Sequence, residues 1–182
     1  MMKSNLAICL FLLSAAGSAI AAEPVVEFKG VPMGASESIF KARNPGFGCG
    51  PIMQQLRPMG DRVCINEKAE FGGANATIKA FFYANRLLFA NVLLKTGDFE
   101  TVVDALKIKF GEPTVAYESI TTRLGLKLTN ENLEWRIGKV VIDGKRYSGD
   151  IDTATISYHD SAGVDEYARR RDQHIKAGAN AL

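Results

Sequence analysis

The sequence predicts an α+β fold, an antiparallel sheet with helices packed on it, preceded by an export signal. Three observations carry this. One segment has the apolar spacing and the end signals of a helix, and several segments alternate with the period of two that marks strands. The turns between those strands are too short to hold parallel crossovers, so neighbouring strands must run antiparallel. The order of elements is helix, strands, helix, strands, helix, which belongs to α+β architectures.

The 182-residue chain opens with Met1-Met2-Lys3, an apolar run from Leu6 to Leu13, and small residues from Ser14 to Ala22 with Pro24 just beyond. One positive charge, a short apolar core and an Ala19-Ile20-Ala21 cleavage site make a secretory signal over residues 1–22. The core is too short to span a bilayer, which takes roughly 20 apolar residues. Cys9 is followed by more apolar residues and preceded by Ile8, so it does not fit a lipid-attachment site. The expected location is periplasmic or secreted. Residues 23–182 are expected to form a single α+β domain, large enough to bury a core.

Removal of the signal also removes Cys9, leaving Cys49 and Cys64 where disulfides form. Their separation suits neither a redox Cys-x-x-Cys pair nor a metal site, so a structural bridge is expected. Closing a loop of that size stabilises by about 3 kcal/mol in the chain-entropy account.

The first helix is expected at 36–43, capped by Ser36 and stopped by Pro45. Residues 44–51 come next as a glycine-rich loop pinned by the bridge. They resemble a phosphate loop only in composition, since neither the strand before nor the helix after is present. Ala76–Ala84 and Arg86–Lys95 face each other across Asn85 as a hairpin. The strongest helix runs from Asp98 to Phe110, with Phe99, Val102, Val103, Leu106 and Phe110 on one side; Asp98 is placed to cap it and Gly111 with Pro113 to end it. Strands are then expected at 114–128, 133–137, 139–143 and 150–159, with turns at 130–132, 138 and 143–145. A terminal helix, about 162–177, carries Val164, Tyr167, Ala168 and Ile175 as a weak apolar stripe. Val31–Ser36 introduces the first helix much as Leu94–Asp98 introduces the second, which suggests two helix-plus-strands repeats.

The run Phe28–Ser36, the paired cysteines, the aromatic hairpin strand and Ala105–Pro113 resemble uncharacterised exported proteins of proteobacteria. In layout they resemble the folds of β-lactamase inhibitor protein and of the small lipoprotein of the outer-membrane β-barrel assembly machine. The resemblance covers about residues 26–140, and it implies binding to other proteins without catalysis. The chain departs from the assembly lipoprotein in having no usable lipid-attachment cysteine.

Chemistry-bearing constellations are few. His159 and His174 are the only histidines; both are expected to face solvent, and no Gly-x-Ser-x-Gly elbow accompanies them. His159 with Asp160, Asp165 or Glu166 lacks the ligand spacing of a metal site. No metal or cofactor is expected. Arg169-Arg170-Arg171 should pair along its own helix with Asp165 and Glu166. A formal net charge of +2, +1 without the signal, gives no general attraction for nucleic acid or an anionic membrane. No transmembrane segment is expected, and the sequence does not set the oligomeric state.

The hairpin is the exception. Ile78, Ala80 and Phe82 are assigned to one side with Leu88, Ala90, Val92 and Leu94. Phe81, Tyr83, Leu87, Phe89 and Leu93 are assigned to the other. A half-buried sheet is polar on its outer face, so two apolar faces require two covers. The second cover is either the terminal helix or later strands of this chain, or a partner, since aromatic residues are enriched in interface cores. Phe81, Tyr83, Leu87 and Phe89 are therefore the candidate partner-binding residues, the partner being another envelope or secreted protein. The expected function is a protein-binding or adaptor module without catalytic activity; its rivals are a small secreted hydrolase using His159 and a purely structural envelope protein.

Overall fold

The structure is a computed structural model that describes residues 24–53, 60–122 and 125–179. The predicted signal, with Cys9 and the Ala19-Ile20-Ala21 site, lies outside them. The elements are β1 (Glu27–Phe28), β2 (Val31–Pro32), α1 (Glu37–Arg43), β3 (Gly48–Pro51), β4 (Arg62–Phe71), β5 (Ala74–Tyr83), β6 (Arg86–Lys95), α2 (Phe99–Phe110), β7 (Thr114–Thr121), β8 (Lys127–Ile137), β9 (Val140–Lys145), β10 (Thr153–Asp160) and α3 (Ser161–Ala179). Strands β3 to β10 form one eight-stranded sheet in the order β3-β4-β5-β6-β10-β9-β8-β7. Every neighbouring pair in it is antiparallel. Among the described residues the fold is thus mixed, mostly strand, with three α-helices.

Each end signal has a local cause. Ser36 Oγ accepts from Ile39 N and opens α1. At α2, Asp98 sits in a short 3₁₀ turn over Thr96–Asp98 and makes no side-chain cap, unlike the sequence expectation. Gly111, at φ +83°, ends that helix, and its carbonyl accepts from Trp135 Nε1 at 2.7 Å. The β5–β6 hairpin turns through Ala84 and Asn85, both in the left-handed region, which suits a two-residue turn.

One face of the sheet holds the main core. Ile78, Ala80 and Phe82 of β5, Ala90, Val92 and Leu94 of β6, Ile142 of β9, and Ala154, Ile156 and Tyr158 of β10 belong to one buried cluster. Phe40 of α1 and Phe99, Val102, Val103 and Leu106 of α2 belong to the same cluster. Its centre is aromatic: the Phe40 ring lies 5.6 Å from Phe82 and 5.0 Å from Phe47, and Phe28 lies 5.1 Å from Tyr158. Burial pushes the Tyr158 hydroxyl well above its ordinary pKa, so it stays neutral.

Several sequence expectations are corrected. Residues 48–51, expected in a loop, pair with β4 as an edge strand. Strand β4 itself is not announced by the sequence, because a register shift between Asn66 and Ala69 breaks its alternation. The expected strand 114–128 is two strands, β7 and the start of β8, and the turn expected at 130–132 lies inside β8. Asn130 stays in the strand because its side chain is consumed there. Its Nδ2 donates to Tyr147 O and Glu118 Oε1, and its Oδ1 accepts from Tyr147 N. The turn expected at 143–145 is likewise strand, with Gly144 facing Leu133 of β8 and Ile156 of β10.

Cys49 and Cys64 are directly opposed on β3 and β4 and are disulfide-bonded, with Cα atoms 4.0 Å apart. Among the described residues no helix is long and apolar enough to cross a membrane.

Candidate functional site

Side chains alternate across a strand, so the register fixes what the sheet presents on its other face. One row across it runs Val63, Phe81, Phe89, His159, Val141, Arg136; the next runs Ile65, Lys79, Asn91, Ser157, Asp143, Glu134. A third row holds Thr77, Leu93 and Thr155. Of these, Phe81 is buried, Arg136 is exposed and the rest are half-buried.

At the turn end of the β5–β6 hairpin this second face is covered. Phe81 and Leu88 are buried yet stand outside the main cluster. Gly163 of α3 lies so close over Leu88 that a Cβ there would sit 2.7 Å from the Leu88 carbonyl oxygen. Further along α3, the Arg170 guanidinium stacks 3.5 Å from the Tyr83 ring centre and pairs with Asp61 at 3.2 Å and Glu166 at 2.7 Å. Beyond Arg170 every residue of α3 is exposed. The helix therefore meets the sheet at Gly163 and Arg170. Val164 and Ile175, assigned to its apolar stripe, are exposed, and the Tyr167 side chain lies outside the described ones. Glu166 rather than Asp165 takes the basic cluster, pairing with both Arg169 and Arg170.

The four candidate residues separate. Phe81 and Phe89 meet, with rings 5.6 Å apart. Tyr83 is half-buried beneath Arg170. Leu87 is fully buried on the main core face, opposite to its sequence assignment. The cause is the register shift after Phe81: Phe81 pairs with Phe89 but Phe82 pairs with Leu87, so Leu88 is an extra residue. Such a β-bulge exchanges the faces of the residues on either side of it, sending Leu87 to the core and Leu88 to α3.

His159 is also corrected, for it is not solvent-exposed. Its side chain is only 16% exposed, its ring stacks on Phe89 at 6.2 Å, and its Nε2 lies 3.5 Å from Asp143 Oδ2. Burial raises the Asp143 carboxyl above its ordinary pKa, an effect opposed by His159. Ser157 stands beside Asp143 across the strand pair. The order is wrong for a nucleophilic triad, in which the base stands between nucleophile and carboxylate. No hydrogen bond links Ser157 to His159 among the described residues.

Sequence reasoning missed Lys79, Asn91, Ser157 and Asp143 on this face. Asn91 left a signal: it is the one polar residue inside the apolar run Leu87–Leu94. Its Oδ1 is buried with no hydrogen-bond partner. Buried polar atoms nearly always have partners, so an orphan calls for an explanation.

Two other features carry less. Glu37, Cys49 and Cys64 place three ligand-type atoms within 4.8 Å of one another. The sulfurs are spent in the disulfide and the carboxylate accepts two hydrogen bonds from Arg62, which hold it below its usual pKa. A groove of about 640 Å³ lies between β7, β8 and the β9–β10 loop, lined by Glu118, Ile120, Asn130, Tyr147, Asp150 and Ile151 among others. The Asn130 donors and acceptor are satisfied within it, and Asp150 Oδ1 accepts from Asp152 N. No protein-family model matches the chain, and no curated protein or solved structure matches it significantly.

Proposed function

We propose that this chain is an exported, disulfide-bonded module that binds another envelope or secreted protein on the second face of its sheet and catalyses no reaction. The observation that carries the reading is the composition and cover of that face. Val63, Ile65, Phe89 and Leu93 are half-buried there, interspersed with the polar Lys79, Ser157 and Thr155. The buried side chains of α1 and α2 belong to the opposite face, and α3 is exposed beyond Arg170. With α1 and α2 on one side of the sheet and α3 over only the turn end of the β5–β6 hairpin on the other, the rest of the second face is a surface of mixed apolar and polar groups, as in non-obligate interfaces. Two helix-plus-four-strand units, one per half of the sheet, fit the same reading, as does the resemblance to inhibitor and assembly proteins. The N-terminal segment and the disulfide support an address outside the cytoplasm.

The test uses the full chain with a photo-crosslinking residue placed singly at Lys79, Leu93 or Ile108. Ile108 is 89% exposed on α2 and serves as the control. In envelope extract the first two positions should capture the same protein and Ile108 should not. Equal capture at all three, or none, would overturn the assignment.

A hydrolase using His159 is the second reading, favoured by the Asp143–His159 contact. It requires His159→Ala to abolish function while the fold survives; the binding reading predicts that no chemical step is lost.

A further inference from the structure

The sheet has two edges, and they are built differently. The β3 edge is four residues long, contains two glycines, ends at Pro51 and is covalently tied to β4. The β7 edge is eight residues long and pairs with β8 along its whole length without a register shift. Seven of its eight residues are exposed, with Val115 at 42% and Tyr117 at 69%. Natural sheets protect an open edge with proline, lysine, a bulge or a covering element. Thr114–Thr121 contains no proline, lysine or arginine. Its single charge, Glu118, is held within its own hairpin by Asn130 Nδ2.

We propose that β7 is a self-association edge, on which a second copy of this chain adds its own β7 antiparallel about a two-fold axis normal to the sheet. Such an axis keeps each face on its own side and sets residues of like parity opposite one another. Centred on Tyr117, it places Tyr117 against its symmetry mate, Val115 against Ser119, Ala116 against Glu118 and Thr114 against Ile120. Centred on Glu118, it pairs as many residues but opposes two carboxylates, and like charges directly opposite are unfavourable. Centres further along pair fewer residues. The Tyr117 register is therefore the longest one free of like-charge opposition. A net charge of +2 per chain offers little repulsion between copies. The interface is isologous and closes on itself, as dimer contacts do. It also sets the two second faces side by side on one surface, which gives a divalent partner an avidity that one copy lacks. The dimer itself does not depend on the binding reading.

Strand pairing along one edge falls at the small end of interfaces, roughly below 1,200 Å², so association should be weak and concentration-dependent. The experiment is sedimentation velocity of the folded protein across a wide concentration range. Wild type should shift from monomer to dimer. V115K/S119K opposes lysines twice across the axis and should raise the dissociation constant by about tenfold or more. V115K/S119E opposes lysine to glutamate at the same places and should restore most of the lost affinity. Thermal melts report whether each variant is folded; if V115K/S119K is not, Tyr117→Arg brings two guanidinium groups together on the axis and should dissociate the dimer in the same way. A wild-type monomer at every concentration, including one that captures a foreign strand instead, overturns the proposal. So does a dimer indifferent to the lysine variants.

Discussion

Replacing Asn91 by valine should make the protein more stable, against the usual direction of substitutions in a sheet. The Asn91 side chain lies between Lys79 and Ser157 on the second face, and its Oδ1 is buried without a partner. Leaving an acceptor unsatisfied costs roughly 1–3 kcal/mol. Valine removes the acceptor, is close to asparagine in size, and suits a strand within a scale that spans about 1 kcal/mol. A net gain of about 1–2 kcal/mol is expected, read as a rise in the urea midpoint at unchanged slope. In a chain of this length that corresponds to about 2–4 °C of melting temperature for each kcal/mol. A variant that loses about 1 kcal/mol or more would show that the oxygen is satisfied in solution, and the main physical mark of the second face would be gone. Stability gained together with partner capture lost would fit a residue kept for binding at the expense of stability.

The same geometry predicts three further outcomes. Gly163→Ala should lose about 1–3 kcal/mol, because its Cβ would meet the Leu88 carbonyl at 2.7 Å, although alanine favours a helix over glycine by about 1 kcal/mol. Gly178→Ala, with nothing within 4 Å, is the control, and an equal effect of both in chemical denaturation would refute the contact. Replacing Cys49 and Cys64 together by serine should lower stability by about 3 kcal/mol through loss of the cross-link; a change below about 1 kcal/mol would mean that the strand pairing of β3 stands without it. The folded state holds the Asp143 proton more tightly than the unfolded chain, because burial raises its pKa above 3.8. The stability this group contributes is therefore present at acid pH and falls as pH rises from about 3.8 through the raised folded value. Asp143→Asn should be neutral near pH 3 and stabilising near neutrality, and melts showing the reverse trend would refute the assignment.

The features legible in the sequence and those hidden from it divide along physical lines. Helix α2 is legible because Phe99, Val102, Val103 and Leu106 repeat with the helical period and Gly111 stops it. Strand β6 is legible for a similar reason, its bounds at Arg86 and Lys95 marked by charges on either side of an apolar run. The disulfide is reached by counting cysteines. Illegible are the features produced by a single extra residue or by tertiary hydrogen bonds. The shift between Asn66 and Ala69 hides β4, and the bulge at Leu88 sends Leu87 to the core. Asn130 has the composition of a turn but lies in a strand, because Glu118 and Tyr147 satisfy it from neighbouring segments. The half-burial of His159 arises from Phe89 and Asp143, neither adjacent to it in sequence.

These irregularities also decide where core ends and open surface begins. Without the bulge, Leu88 would point into the main core and Leu87 would meet α3. With it, Leu88 rises toward the helix, and the missing side chain at Gly163 lets the backbone of α3 settle against it. Arg170 completes the contact two turns later by spanning Tyr83, Asp61 and Glu166. The cover thus ends over Tyr83, at the turn of the β5–β6 hairpin. Asn91, Leu93 and Thr77 lie further from the turn along the same strands, and α3 is exposed from Arg171 onward. The hairpin's second face is consequently divided. Its turn end is internal packing under α3. The other end, around Thr77 and Leu93, is half-buried and lies beyond the cover of α3, and the proposed binding reading rests on that stretch.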